Sequence, residues 1–236
     1  MRVRRLIFGF LLPSVLVVAA VVVALRQNML PADWHLLPAL DLAEPNAWLV
    51  DWRLARLKSD AALCGRTLRA PWVEGTSVSD EPLKDGCGWS NGVRLTAAGG
   101  ARLHVDRATC ELAAALAMWL THVVQPAAEA TLGSKVVSVQ HLGGYSCRNV
   151  KGSPQWAGVR SEHARANALD ITGFTLAGGR QVSVARHWVN DSAEARFLRT
   201  VHARACDYFR VAIGPDYNEA HRGHFHYDRG LFTACR

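Results

Sequence analysis

Between Leu6 and Leu25 the chain carries no charged residue, and as a helix this run is long enough to cross about 30 Å of hydrocarbon. Everything else must be arranged around that segment. Arg2, Arg4 and Arg5 precede it and Arg26 follows, a placement that favours an inside N-terminus and puts the rest of the chain on the far side of a membrane. Pro13 falls in the first turns, where a missing N–H costs little. A cleaved signal peptide is the alternative. Its apolar core is usually shorter and ends at a small-x-small site, and Val23-Ala24-Leu25-Arg26-Gln27-Asn28 offers no convincing one. Residues 1–26 are therefore expected to be a transmembrane anchor or signal segment, 27–46 a linker, and 47–236 the domain.

The cysteines agree with an exported domain. Cys64, Cys87, Cys110, Cys147, Cys206 and Cys235 all follow the apolar run, and an even set outside the cytosol reads as disulfides. No two stand in a Cys-x-x-Cys pair, which argues against a zinc ribbon or a thioredoxin-like site. Modest separation suggests Cys206 with Cys235 and Cys64 with Cys87.

With 236 residues, half of them hydrophobic, the chain can build a real core and is not disordered. Its mean hydropathy near zero excludes a multi-span membrane protein. The net charge of +7 suits a membrane face or an acidic polymer, and no basic patch interleaved with aromatics marks a nucleic-acid binder.

The pattern predicts strands mixed with helices. A short helix is expected near Trp48–Leu57, turn-rich short strands between Cys64 and Thr96, and a helix over Arg107–Val124 with Asp106 as N-cap. Pro126 should bend or restart that helix and Leu132-Gly133 close it. Val136–Val139 reads as a strand, and Ala168–Phe174 through Gly178-Gly179 to Gln181–Val184 as a hairpin. Asp191 with Glu194 resembles a capping box ahead of a helix lined by Phe197, Leu198 and Val201, and Phe225–Asp228 reads as a last short strand. Without regular βαβ alternation the expected class is α+β, a mostly antiparallel sheet with flanking helices.

Two segments concentrate metal-binding side chains: Ser161–Asp170 and His221–Asp228. Strand side chains alternate, so His224 and His226 face the same way, one able to ligate a metal while the other stands beside it. Asp170 on a neighbouring strand can present its carboxylate there, with His163 returning from the preceding loop. Two imidazoles and one carboxylate form a known catalytic zinc set that leaves a fourth position for water. Arg148, following a glycine turn, can reach a substrate carboxylate or a developing oxyanion. Glu162 reads as solvated, and no serine sits in a Gly-x-Ser-x-Gly elbow.

Ser161-x-His163 through Ala168-x-Asp170, followed by His224-x-His226, resembles the zinc peptidase superfamily of D-alanyl-D-alanine carboxypeptidases, murein endopeptidases and the hedgehog signalling domain. Tyr145-Ser146-Cys147-Arg148, Asn167–Ile171 and His221–Asp228 resemble more closely the bacterial extensin-like family, over about residues 40–236. The resemblance implies a hedgehog-like fold, Zn2+ held by His163, Asp170 and His226, and His224, His221 and Arg148 as catalytic residues. The chain departs from the superfamily at two places. Ala166 stands where many members have glycine, implying a backbone that does not need a glycine-only conformation or a loop that has adjusted. Gly223 stands where the carboxypeptidase branch has a glutamate base, which leaves His224 as the natural substitute.

Together these readings imply a single-pass inner-membrane protein whose periplasmic domain is a zinc-dependent hydrolase of peptidoglycan peptide bonds. The alternative is a non-catalytic cell-wall-binding or scaffolding domain that keeps the fold.

Overall fold

The structure, a computed structural model, describes residues 13–24, 38–45 and 47–236. Residues 13–24 are helical, and among the described residues no helix is long and apolar enough to cross a membrane. The rest of the expected span, and residues 27–37 of the expected linker, lie outside the described residues. The described part of the linker packs onto the domain. Leu40 and Leu42 join the core, and the Pro45 carbonyl accepts the Tyr208 hydroxyl at 2.6 Å.

The elements follow in order: α1 (Val50–Ala55), α2 (Ala61–Thr67), β1 (Val73–Val78), β2 (Glu81–Lys84), β3 (Cys87–Trp89), β4 (Gly92–Ala98) and β5 (Ala101–Thr109). Then come α3 (Cys110–Trp119), α4 (Gln125–Leu132), β6 (Val136–His141), β7 (Ala168–Leu176), β8 (Gln181–Ser183), α5 (Val184–His187) and α6 (Ala193–Ala203). β9 (Val211–Ile213), β10 (Phe225–Asp228) and β11 (Ala234–Cys235) complete the chain. The main sheet runs β1-β4-β5-β6-β7-β10-β9-β11, with β8 also on β7, while β2 and β3 form a separate hairpin.

The class is α+β, but the sheet is mixed rather than mostly antiparallel. β5 pairs parallel with β6 and β9 parallel with β11, the other pairings being antiparallel. The parallel step at β5–β6 follows from the helical crossover between them, since parallel neighbours need a long connection. Phe225 and Tyr227 point to the helical layer, where Trp119 packs 5.3 Å from Tyr227, so His224, His226 and Asp228 point to the opposite face.

α3 is buried on every side, as its alanine-rich sequence requires of a helix without a polar face. It starts later than expected. β5 continues to Thr109, whose Oγ1 accepts from Leu112 N–H, while Asp106 sits on the exposed strand face near Arg94. The buried alternation Ala101, Leu103, Val105 set the strand, and the helical period begins only after it. Between α3 and α4 the chain makes one π turn, Leu120–Val124, just before Pro126. Proline has no N–H to continue the α ladder, and a wider turn there spares the bond. Gln125 ties this junction to the sheet by donating to the Gly99 and Val136 carbonyls and accepting from Val136 N–H. Gly99, at φ 58°, lies so close beneath the π turn that a Cβ would stand 3.0 Å from Thr121 N. At α6 the cap is Ser192, not Asp191, because Asn190 Oδ1 holds the serine and its Oγ accepts from Ala195 N–H.

Three disulfides staple the fold: Cys64–Cys110, Cys87–Cys147 and Cys206–Cys235. The expected Cys206–Cys235 pair forms and the expected Cys64–Cys87 pair does not. Sequence proximity misled because α2 packs beside the start of α3, while β3 reaches the loop after β6. Closing loops of 46 and 60 residues removes about 4 kcal/mol of unfolded-chain entropy each.

Candidate metal centre

Register places the cluster. In the β7–β10 pair His226 stands opposite Asp170, so the imidazole and the carboxylate meet on the sheet face away from the helices. His163 arrives from a single 3-10 turn, Glu162–Arg165, capped by Ser161 Oγ on His163 N–H. Ala166 closes that turn at φ 53°, so this alanine does adopt the left-handed conformation that glycine would take freely. The contacts around it hold it there. Thr109 N–H donates to the Ala166 carbonyl, Thr109 Oγ1 to Asn167 Oδ1, and Asn167 Nδ2 to Glu162. Glu162 is consequently not solvated as its sequence context suggested: it bridges Arg165 and Asn167, and Gly230 packs directly over it.

The three expected ligands converge. His163 Nε2 lies 3.1 Å and His226 Nδ1 2.9 Å from Asp170 Oδ1, and the two ring nitrogens are 3.3 Å apart. All three side chains are almost wholly shielded from solvent. The far side of each ring settles its tautomer. His163 Nδ1 faces the Gly144 carbonyl at 3.1 Å and His226 Nε2 faces the Asp228 carboxylate at 3.0 Å. Both partners only accept, so in the neutral rings those nitrogens carry the protons and the lone pairs point inward, while a ring that takes up a second proton turns it onto Asp170. Asp228 is itself fixed by Gly230 N–H at 2.8 Å. One carboxylate and two lone pairs this close together demand a cation. Donor separations of 2.9–3.3 Å match the edge of a tetrahedron with bonds near 2.0 Å, about 3.3 Å, so the set could hold a metal ion of zinc's size.

A proton competes for the same cage. Burial disfavours the His226 cation, but its bonds to Asp170 and Asp228 prevail and push its pKa up to about 9. Burial likewise works against the Asp170 anion, and the His163 and His226 imidazoles against it overcome that, holding the carboxyl well below the usual range.

The other expected residues surround the cluster without joining it. His224 Nε2 is 3.7 Å from Asp170 Oδ1, and burial, only partly opposed by Asp170, lowers its pKa. Arg148 Nη2 is 3.6 Å from Asp170 Oδ2. The His221 ring lies 5.2 Å from that of His224 and 6.0 Å from that of His226. Burial, reinforced by the neighbouring imidazoles, brings the His221 pKa down to about 4. The arrangement thus combines a cation cage, neutral imidazoles at its edge and a guanidinium over the carboxylate. Such a set can polarise an acyl group and move a proton beside it.

Sequence reasoning passed over Asp228 and the Gly144 carbonyl. Asp228 was legible, because it continues the same alternation as His224 and His226; a backbone carbonyl leaves no side-chain signal. The cluster also depends on the Cys87–Cys147 disulfide, which fastens the segment from Gly144 to Arg148 to β3.

With this geometry in place the chain's affiliation can be stated. The family described as extensin-like protein C-terminus matches residues 62–236, and the chain belongs to it. No curated protein and no solved structure matches the chain.

Proposed function

We propose that this protein is a membrane-anchored, zinc-dependent hydrolase of peptidoglycan peptide bonds, working in the periplasm and related to the carboxypeptidase, endopeptidase and hedgehog superfamily. The observation that carries the reading is the inward convergence of His163 Nε2, Asp170 Oδ1 and His226 Nδ1, each ring oriented by an acceptor behind it. When bound, the ion supplies a Lewis acid for a scissile carbonyl and the attacking water. Asp170, His163 and His226 hold it. His224, with His221 beside it, would take the proton of the attacking water and deliver it to the amine nitrogen that leaves as the C–N bond breaks, and Arg148 engages a substrate carboxylate or the oxyanion while its charge also steadies Asp170. Arg148 at the carboxylate and exposed Lys151 in the loop that follows it suit a carboxylate-bearing wall peptide.

The test is digestion of muropeptides by the full-length protein with and without chelator, alongside metal analysis. Metal-dependent cleavage is expected, and an unchanged product profile would overturn the enzyme reading in favour of a wall-binding domain. His226→Ala and Asp170→Ala should lose zinc and activity together. His224→Ala should keep its zinc and lose about 10² to 10⁴ in rate, and a loss below about tenfold would make His224 structural.

A further inference from the structure

Asn218 lies outside every motif above, yet its amide makes two hydrogen bonds that decide each other. Its Nδ2 donates to the Gly152 carbonyl at 3.0 Å, and its Oδ1 meets His221 Nδ1 at 2.6 Å. A carbonyl only accepts, so the nitrogen of the amide must face Gly152 and the oxygen must face His221. An amide oxygen also only accepts, so His221 Nδ1 must carry the proton. In its neutral form His221 therefore has a bare lone pair at Nε2, on the ring edge away from Asn218. The ring itself stands against His224 and His226.

Gly152 belongs to the loop between Asn149 and Arg160, closed by a bridge between those two residues and by Val150 N–H to the Val159 carbonyl. Arg148 sits at its base. Gly152, at φ 77°, is pressed so closely on Asn218 that a Cβ would lie 2.8 Å from the Ala220 Cβ and 3.1 Å from Asn218 Nδ2. Asn218 is thus the fastening between the arm that bears Arg148 and the arm that bears His221.

We infer that Asn218 is a positioning residue that holds His221 in the Nδ1–H tautomer, so that Nε2 is the proton-accepting atom at this edge of the cluster. The inference rests on the hydrolase reading for its catalytic half only. When Nε2 takes a proton, the resulting imidazolium keeps its Nδ1 proton on Asn218 Oδ1, a charge-assisted bond that strengthens as the proton moves. Removing it should cost about tenfold to about a hundredfold in kcat/KM.

The tautomer can be read without any activity, from the two ring-nitrogen shifts of His221 in the full-length chain labelled with 15N-histidine, assigned by loss of the signals in His221→Gln. The expected result is Nδ1–H in the parent chain and in Asn218→Asp, whose carboxylate still accepts from His221 although it gives up the bond to the Gly152 carbonyl. A shift towards Nε2–H is expected in Asn218→Leu and, through displacement of the amide, in Gly152→Ala. Nε2–H in the parent chain, or Nδ1–H retained in Asn218→Leu, would overturn the inference. Muropeptide turnover should follow the tautomer, with Asn218→Asp active and Asn218→Leu impaired; equal turnover in the two, with the tautomer changed, would overturn the catalytic half. A parent chain that shows the Nδ1–H tautomer but cleaves nothing refutes the hydrolase reading, and leaves the assignment of the tautomer to Asn218 standing on the nitrogen shifts alone.

Discussion

Asp228→Asn is a substitution of nearly constant volume that should strike the metal centre through a tautomer. In the parent chain one oxygen of the buried Asp228 accepts from Gly230 N–H at 2.8 Å and the other faces His226 Nε2 at 3.0 Å. An asparagine cannot serve both. If its oxygen stays on Gly230, its NH2 points at His226 Nε2, which must then be the acceptor, and the ring proton moves to Nδ1, the atom that should donate to the metal. If the amide turns over, NH2 confronts the Gly230 N–H and that bond is lost instead. Loss of a partner of this kind typically costs 10-fold to 100-fold in metal affinity, about 1.4 to about 2.8 kcal/mol. Competition with a chromophoric chelator measures the affinity, and circular dichroism checks that the fold is retained. A folded Asp228→Asn chain that binds zinc as tightly as the parent would refute the argument that the carboxylate sets the His226 tautomer.

The metal-free chain should have a pH optimum of stability near neutrality. His226, raised to about 9, contributes stability that is fully present below its unfolded value near 6.5 and lost as pH rises through about 9. His221 and His224 are lowered, so protons taken up by the unfolded chain oppose folding below about 6.5, and Asp170 adds a loss at still lower pH. Denaturant midpoints measured in chelator should fall on both sides, and zinc should flatten the alkaline side; midpoints that stay constant from pH 6 to 10 would contradict this. Glu111→Gln should destabilise the domain by about 3 kcal/mol, because it removes one of the carboxylates that neutralise the buried Arg229 while Asp51 remains as the other. Thermal unfolding reads that loss, and a change below about 1 kcal/mol would show that Asp51 suffices.

Much of the candidate site was legible because it rests on periodicity. His224 and His226 fall on one face by strand alternation alone, and the register of β7 with β10 brought Asp170 to His226. What the sequence concealed depends on contacts between distant segments. Glu162 looked like a surface residue because Asn167, Arg165 and Gly230 close around it only after folding. The onset of α3 was misplaced because Asp106 is as good a cap as Thr109 when judged locally, and only the pairing of β5 with β4 up to Thr109 decides between them. The glycine that similar chains carry at Ala166 pointed to its positive φ, but the alanine itself concealed it, since the bonds from Thr109 that help to hold it come from another strand. Cysteine partners likewise depend on which elements become neighbours, a property of topology rather than of spacing.

The Cys87–Cys147 bridge makes the candidate site a late product of the chain's own maturation. The Gly144 carbonyl that orients His163 and the Arg148 guanidinium over Asp170 both hang on the segment it fastens, whereas the helical layer has its own staple in Cys64–Cys110 and the far edge of the sheet has Cys206–Cys235. A chain that lacks this one bridge therefore keeps the other two staples on its core while the rim of the cage is loose. Order at that rim then arrives with the second electron withdrawn from this pair of thiols. A chain with this bridge alone opened would carry the scaffold and all three donors without the framework that aims them.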